Sequence, residues 1–218
     1  MNHDPGGTNM SDSEGRARLK ILLLGAGGTI GSTLGALLEA RHEVIKVGHG
    51  HEEVTVDMAT PESLQKLFAE IGPVDAVISA PNVVRLSKIE ELLKEDFAAS
   101  LNNRLLGQMN LVRYGRTYLR EGGAFTLTSA ILPDYDHPAN TILSAVNASL
   151  HRFVSSAALK LPPGQRVNAV CPPMLRETVE RFGLGTGGTP VAQVIPLYVH
   201  ALEGDETGQV ITMGSIGH

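Results

Sequence analysis

The chain is short of the residues that cross-link a fold or line aromatic surfaces. Its 218 residues include one cysteine, Cys171, no tryptophan and only 4% aromatics. A single cysteine rules out an intrachain disulfide and a thiolate-rich metal site. Cys171 follows the apolar run 167–170 and precedes Pro172-Pro173, which reads as a plain buried thiol rather than a nucleophile. Positive charge is scarce too. Lys and Arg number 18 against 23 Asp and Glu, giving a formal net charge of -5. With no strongly basic stretch to displace counterions, this argues against a general nucleic-acid surface. No apolar run approaches the length of a membrane span. Residues 1–18 are polar and lack the apolar core of a secretion signal. They read as a disordered tail, with Met10 as an alternative start, on a cytoplasmic protein whose folded part is 19–218. His49 and His51 share a glycine loop but have no third ligand within reach of the sequence, so no metal site is expected.

What the chain does have is glycine at a telling place. Leu19-Lys20-Ile21-Leu22-Leu23-Leu24 runs into Gly25-Ala26-Gly27-Gly28-Thr29-Ile30-Gly31, and a helical pattern of Ile30, Leu34, Leu37 and Leu38 follows at once. A buried strand that turns directly into a helix leaves the first helical N–H groups without partners, and the helix dipole adds partial positive charge. A cofactor diphosphate fits there. Gly25 is expected to make the tight turn, Gly28 to let phosphate approach the backbone, and Gly31 to let the helix pack on the strand. Gly27, Thr29 and Ile30 complete the candidate loop. The spacing is Gly-x-x-Gly-x-x-Gly, and its place between strand and helix distinguishes it from a lone glycine motif.

Strand and helix patterns alternate to the end of the chain. Strands are expected at 20–24, 43–47, 54–56, 75–79, 124–128, 166–170 and 209–213, several of them nearly continuous in Val, Ile, Leu and Ala. Helices are expected at 30–40, 61–71, 94–119, 141–161 and 189–202. For the second, Thr60 is the N-cap, Pro61 the first position and Gly72 the stop. The alternation predicts an α/β fold: one domain with a Rossmann-type, doubly wound parallel sheet of about seven strands, its ligand at the carboxyl ends of the strands.

These residues resemble the short-chain dehydrogenase/reductase family over about residues 19–213. The glycine loop is the first marker. Val56-Asp57 stands where the family places an aspartate near the adenine, with Met58 beside it. Asp75-Ala76-Val77-Ile78-Ser79-Ala80-Pro81-Asn82 stands where the family has a strand ending in Asn-Asn-Ala-Gly. Phe125-Thr126-Leu127-Thr128-Ser129 is similar to the strand that delivers the catalytic serine. Arg166-Val167-Asn168-Ala169-Val170-Cys171-Pro172-Pro173 resembles Arg-Val-Asn-x-Val-x-Pro-Gly, and Thr207-Gly208-Gln209-Val210 resembles the last strand. The resemblance implies nicotinamide-cofactor contacts at Ala80, Pro81, Asn82 and Pro172 as well as at the loop.

The resemblance also marks departures. The family's Tyr-x-x-x-Lys pair transfers the carbonyl proton, the lysine depressing a tyrosine pKa that is otherwise near 10. Counting back from Arg166 puts Leu143 at the tyrosine position and Asn147 at the lysine position. Asn147 can hydrogen-bond a ribose or the backbone but carries no charge. Arg104 stands at the family's helix-four asparagine, either pointing into the cleft toward an anionic group or solvated on an outer face. Ser129 is the retained catalytic position, a donor to substrate oxygen or else a turn cap. Tyr135 and His137, in the loop 131–140, are candidate proton donors, or else residues of a polar surface turn.

No carboxylate ends the second strand, so repulsion of a 2′-phosphate is missing, and His49 stands where related NADP-binding sequences often carry arginine. NADP(H) is favoured over NAD(H). The leading expectation is an NADP(H)-binding oxidoreductase of a small carbonyl or alcohol with non-standard proton transfer. The alternatives are a cyclase, dehydratase or isomerase on the same fold, or an inactive dinucleotide-binding sensor. No nucleic acid or membrane partner is expected. The resemblance implies a homodimer or homotetramer paired through the two long helices, and the glycine-rich 174–188 reads as a substrate lid or a surface connection.

Overall fold

The computed structural model describes residues 17–48, 54–81, 93–131 and 141–216. Six parallel strands form one sheet: β1 (Lys20–Leu24), β2 (Glu43–Val47), β3 (Val74–Ser79), β4 (Leu119–Thr128), β5 (Arg166–Val170) and β6 (Val210–Ile211). Their order is β2-β1-β3-β4-β5-β6. The helices between them are α1 (Thr29–Glu39), α2 (Pro61–Ile71), α3 (Lys94–Ala99), α4 (Gly107–Gly115), α5 (Thr141–Ala157), α6 (Arg176–Phe182) and α7 (Val191–Glu203). Both faces of the sheet are covered. Side chains alternate along β1, so Leu22 and Leu24 join a core with Phe68, Leu111 and Leu150 from α2, α4 and α5. Ile21 and Leu23 join the opposite core with Leu34 of α1 and Leu197 of α7. Residues 21–24 are therefore buried on either side, which is why this strand reads as an unbroken apolar run.

The chain goes from β1 outward to β2, then crosses back to lay β3 on the other side of β1. Connections leave the carboxyl ends of β1 and β3 in opposite directions, and a crevice opens between them. The expected seventh strand, 54–56, is reduced to an isolated bridge between Val54 and Val47. The last strand shortens to Val210–Ile211, and β4 starts early, at Leu119. The α2 start is as read except in its chemistry: Thr60 makes no side-chain cap bond, because its hydroxyl donates to Asp57 Oδ2 at 2.7 Å. The stretch 174–188 holds a helix that the sequence reading missed, α6, which ends on left-handed Gly183. It is tied at its base by the Leu175–Thr189 bridge.

The expected helix 94–119 differs most. A π-helical turn, Ser100–Leu106, separates α3 from α4. One extra residue per turn shifts the helical phase. Leu101 and Leu106 come out 41% and 45% exposed, while Arg104 is turned inward to 4%. The turn is tied down by Gln108, which is fully buried. Its Nε2 donates to the Arg104 carbonyl (2.8 Å) and the Thr128 carbonyl (3.0 Å), and its Oε1 accepts from the Thr128 N–H (2.8 Å). Gln108→Leu keeps the volume and removes all three bonds. Urea unfolding should show a loss of ~2–4 kcal/mol. Leu159→Ala, at a site 80% exposed, should stay within ~0.5 kcal/mol of the parent.

Candidate functional site

The glycine turn lies at the carboxyl end of β1. Gly25 has φ +79°, a left-handed conformation that favours glycine. A Cβ there would run into the Ala80 carbonyl, and a Cβ on Gly31 into the Gly25 carbonyl. Gly28 instead caps α1 in extended geometry, φ −79° and ψ 169°. Its value is the missing side chain, not a positive φ. The turn is anchored from beneath, the Gly25 and Ala26 amides both donating to the Val47 carbonyl (2.8 and 3.2 Å). Ser32 is the first α1 amide with a helical partner, the Gly28 carbonyl at 2.8 Å. The amides of Thr29, Ile30 and Gly31 precede it and point out of the helix end. This is a cradle of the kind that takes a diphosphate.

A cleft of about 70 Å³ adjoins the cradle. Ile30, Pro81, Arg104, Ser129, Leu143 and Pro172 are among its walls. Ser129 extends β4 past its last ladder residue, its N–H donating to the Val170 carbonyl at 2.9 Å. Its hydroxyl, in a residue only 1% exposed, lies 2.8 Å from His151 Nε2 and 3.3 Å from the Val170 carbonyl. Burial holds the half-buried His151 imidazole below the usual histidine range. The neighbouring Cys171 thiol is buried and free, and desolvation pushes its pKa up. It is poorly suited to act as a nucleophile.

His151 was missed in the sequence because it belongs to no motif. Its spacing carried the signal: residues 143, 147 and 151 recur at four-residue steps on α5 and share a face. Leu143 is 6% exposed and presents no titratable group. Asn147 Nδ2 donates to the Ala130 carbonyl at 3.0 Å, while its buried Oδ1 has no partner. Arg104, of the two readings open in the sequence, takes the inward one and lines the cleft. Its Nε has no hydrogen-bond partner.

The remaining expected positions surround this centre. Ala80 joins the turn, its N–H donating to the Leu24 carbonyl at 2.9 Å. The Pro172 carbonyl accepts from the Ile131 N–H at 2.8 Å and extends the β4–β5 pairing. Asp57 is engaged locally, its carboxylate accepting from the Ala59 N–H (2.9 Å) and the Thr60 hydroxyl (2.7 Å). Met58 packs against the core and approaches α4 where Gly107 offers no side chain. His49, Asn82, Tyr135 and His137 lie outside the described residues. Among the described residues no group of three or more His, Cys, Asp or Glu could hold a metal ion, and no helix is long and apolar enough to cross a membrane.

The loop fits the diphosphate of a nucleotide cofactor. The glycines clear the space, three helix-end amides face it, and the orphaned Asn147 Oδ1 can accept from a hydroxyl. Known proteins match this architecture. A family model described as enoyl-(acyl carrier protein) reductase matches residues 32–187. Hydroxynaphthalene reductase arp2 of Aspergillus fumigatus is 24% identical over 183 residues, 78% of this chain and 67% of that enzyme. The chain thus spans about two thirds of that relative's length. Protein lin1944 from Listeria innocua superposes with a TM-score of 0.83 at 34% identity, covering 89% of this chain and 98% of that one. A small-chain dehydrogenase solved in complex with NADPH superposes with a TM-score of 0.77 at 22% identity, over 90% of this chain and 96% of that one, a likeness of fold. With the family model covering most of its length and this sheet order beneath it, the chain belongs to the short-chain dehydrogenase/reductase family.

Proposed function

We propose that this protein is an NADP(H)-dependent oxidoreductase of a small carbonyl or alcohol, and that Ser129 and His151 together move the proton. The observation that carries the reading is the 2.8 Å contact between Ser129 Oγ and His151 Nε2 at the carboxyl end of β4, beside the glycine cradle. NADP(H) is favoured because β2 ends in Val47-Gly48 without a carboxylate to repel a 2′-phosphate. The relative solved with NADPH is consistent with this choice. A bound nicotinamide supplies or takes the hydride. Ser129 binds the substrate oxygen through its hydroxyl. In oxidation the proton passes from that oxygen to Ser129 Oγ as the serine proton passes to His151 Nε2, and the partly exposed ring releases it to solvent. Reduction runs the same path backward. Leu143 fills the position of a phenol with hydrocarbon and keeps water from the reacting oxygen. Asn147 positions the segment after Ser129 by holding the Ala130 carbonyl. Tyr135 and His137 are not used in this relay.

Gly31→Ala should weaken NADPH binding at least tenfold, about 1.4 kcal/mol, by calorimetry with unchanged far-UV circular dichroism. Leu37→Ala, on the exposed side of α1, should bind as the parent does. In the oxidation direction the base must be neutral imidazole, which predominates above its pKa. Because burial lowers that pKa, kcat/KM should be lost on the acid side, with a midpoint below that of a free imidazole. His151→Gln should lose this acid limb and about tenfold or more in rate, and Ser129→Ala about 10²–10⁴-fold. An unchanged limb in His151→Gln would sink the relay. Product formed without net cofactor oxidation would move the chain to the non-redox class. Finally, Leu93, Phe97, Leu101 and Leu106 expose apolar surface along α3 and the π turn. A twofold homo-oligomer covers it in this proposal, and light scattering should find a multiple of 23.2 kDa. A monomer would reject it.

A further inference from the structure

We infer that Arg104 is an anion-binding residue and that the substrate is a short oxo or hydroxy acid whose carboxylate it holds. This deepens the reading of the cleft as a redox site and rests on it. Arg104 is 4% exposed and its Nε makes no hydrogen bond. The ion pairs among the described residues are Lys46–Glu39, Lys66–Glu70, Arg120–Asp75 and His200–Glu206, none of them involving Arg104. A buried cation without a counter-ion is costly, and proteins keep one where a ligand completes it. Desolvation lowers its pKa, with the nearby Tyr198 acting the other way. Arginine stays charged under such shifts, and Tyr198, fully buried, is held neutral.

The position is built rather than accidental. The π turn rotates Arg104 inward, and Gln108 fixes its carbonyl at 2.8 Å with the same amide that grips Thr128, one residue before Ser129. Arg104 and Ser129 therefore share one anchor and line one cleft. A guanidinium fork takes both oxygens of a carboxylate. The cofactor diphosphate has its own site in the amides of Thr29, Ile30 and Gly31, which leaves the cation to the substrate. The cleft is small, about 70 Å³, so carboxylate and carbonyl must be close together. The reaction balances as a ketone carbon receiving hydride and its oxygen one proton, with the carboxylate unchanged.

The test uses the full chain and Arg104→Gln and Arg104→Lys, with butanoate and butanamide as binding probes and 2-oxobutanoate against 2-butanone as substrates. Butanoate at tens of millimolar should raise the melting temperature of the parent chain without cofactor, and butanamide should not. Arg104→Gln should lose this rise while melting, unliganded, no lower than the parent, since a buried charge is gone. Arg104→Lys should recover part of it. With NADPH, the parent should prefer 2-oxobutanoate by about tenfold or more in kcat/KM. Arg104→Gln should abolish the preference through KM, leaving turnover of 2-butanone and NADPH affinity within about threefold. No butanoate effect on the parent, or an equal response to butanamide, overturns the inference whether or not a dinucleotide binds. A loss of NADPH affinity in Arg104→Gln assigns the cation to a cofactor phosphate and also overturns it. Absence of dinucleotide binding by the parent, with the butanoate effect present, refutes the redox reading and leaves the anion site standing.

Discussion

The side-chain amide of Gln108 holds the functional end of the sheet together. Where β3 and β4 diverge, the ladder between them stops at Ile78 and Thr126. Two residues further on, the N–H and C=O of Thr128 face the widening gap with no strand to pair with. The amide of Gln108 supplies one donor and one acceptor in their place, as a neighbouring strand residue would. A second amide bond from the same group to the Arg104 carbonyl ties the π turn to the strand end. The crevice can open only because its walls are satisfied by a side chain. The positions of Ser129 and Arg104 follow from that single substitution of amide for strand.

A similar device works at the other edge. Asn168 Oδ1 accepts from the Gln209 N–H (3.0 Å) and its Nδ2 donates to the Glu206 carbonyl (2.7 Å), closing the loop that leads into β6. Arg166, two residues earlier, donates to the carbonyls of Ala201 and Leu202 at the end of α7. The Arg-Val-Asn run therefore explains itself as architecture. It joins β5 to the last helix and the last strand.

Fold and site were unequally legible for the same reason. Five of the expected strands, and the helices α1, α2, α5 and α7, rest on local periodicity and on glycine or proline punctuation, which short windows of sequence record directly. The π turn rests on a tertiary bond between Gln108 and Thr128, and a periodic reading of 94–119 averages over one inserted residue. The orientation of Arg104 depends on that turn, so periodicity alone allows both an inward and an outward one. The strand at 54–56 had the composition of a strand, but its pairing shrank to one bridge. Helix α6 hid among glycines, because Gly183 stops it after two turns and the eye reads the rest as loop. His151 lies eight residues beyond Leu143 on the same helical face, a spacing visible in the sequence, but its contact with Ser129 is tertiary.

The unsatisfied polar atoms show where the protein has departed from a purely structural optimum. Among the described residues, buried side-chain atoms without partners include Arg104 Nε and Asn147 Oδ1, both at the carboxyl end of the sheet. At the opposite end Asp75 accepts from the Lys20 N–H (2.7 Å) and from Arg120 (2.8 Å). A buried cation and a buried acceptor left open beside one cleft make a ligand-shaped deficit there. In the proposed mechanism two duties fall to separate parts of one cleft: a serine–histidine pair moves the proton and a buried guanidinium holds the substrate's charge. A cation that tunes no acid is free to recognise the substrate.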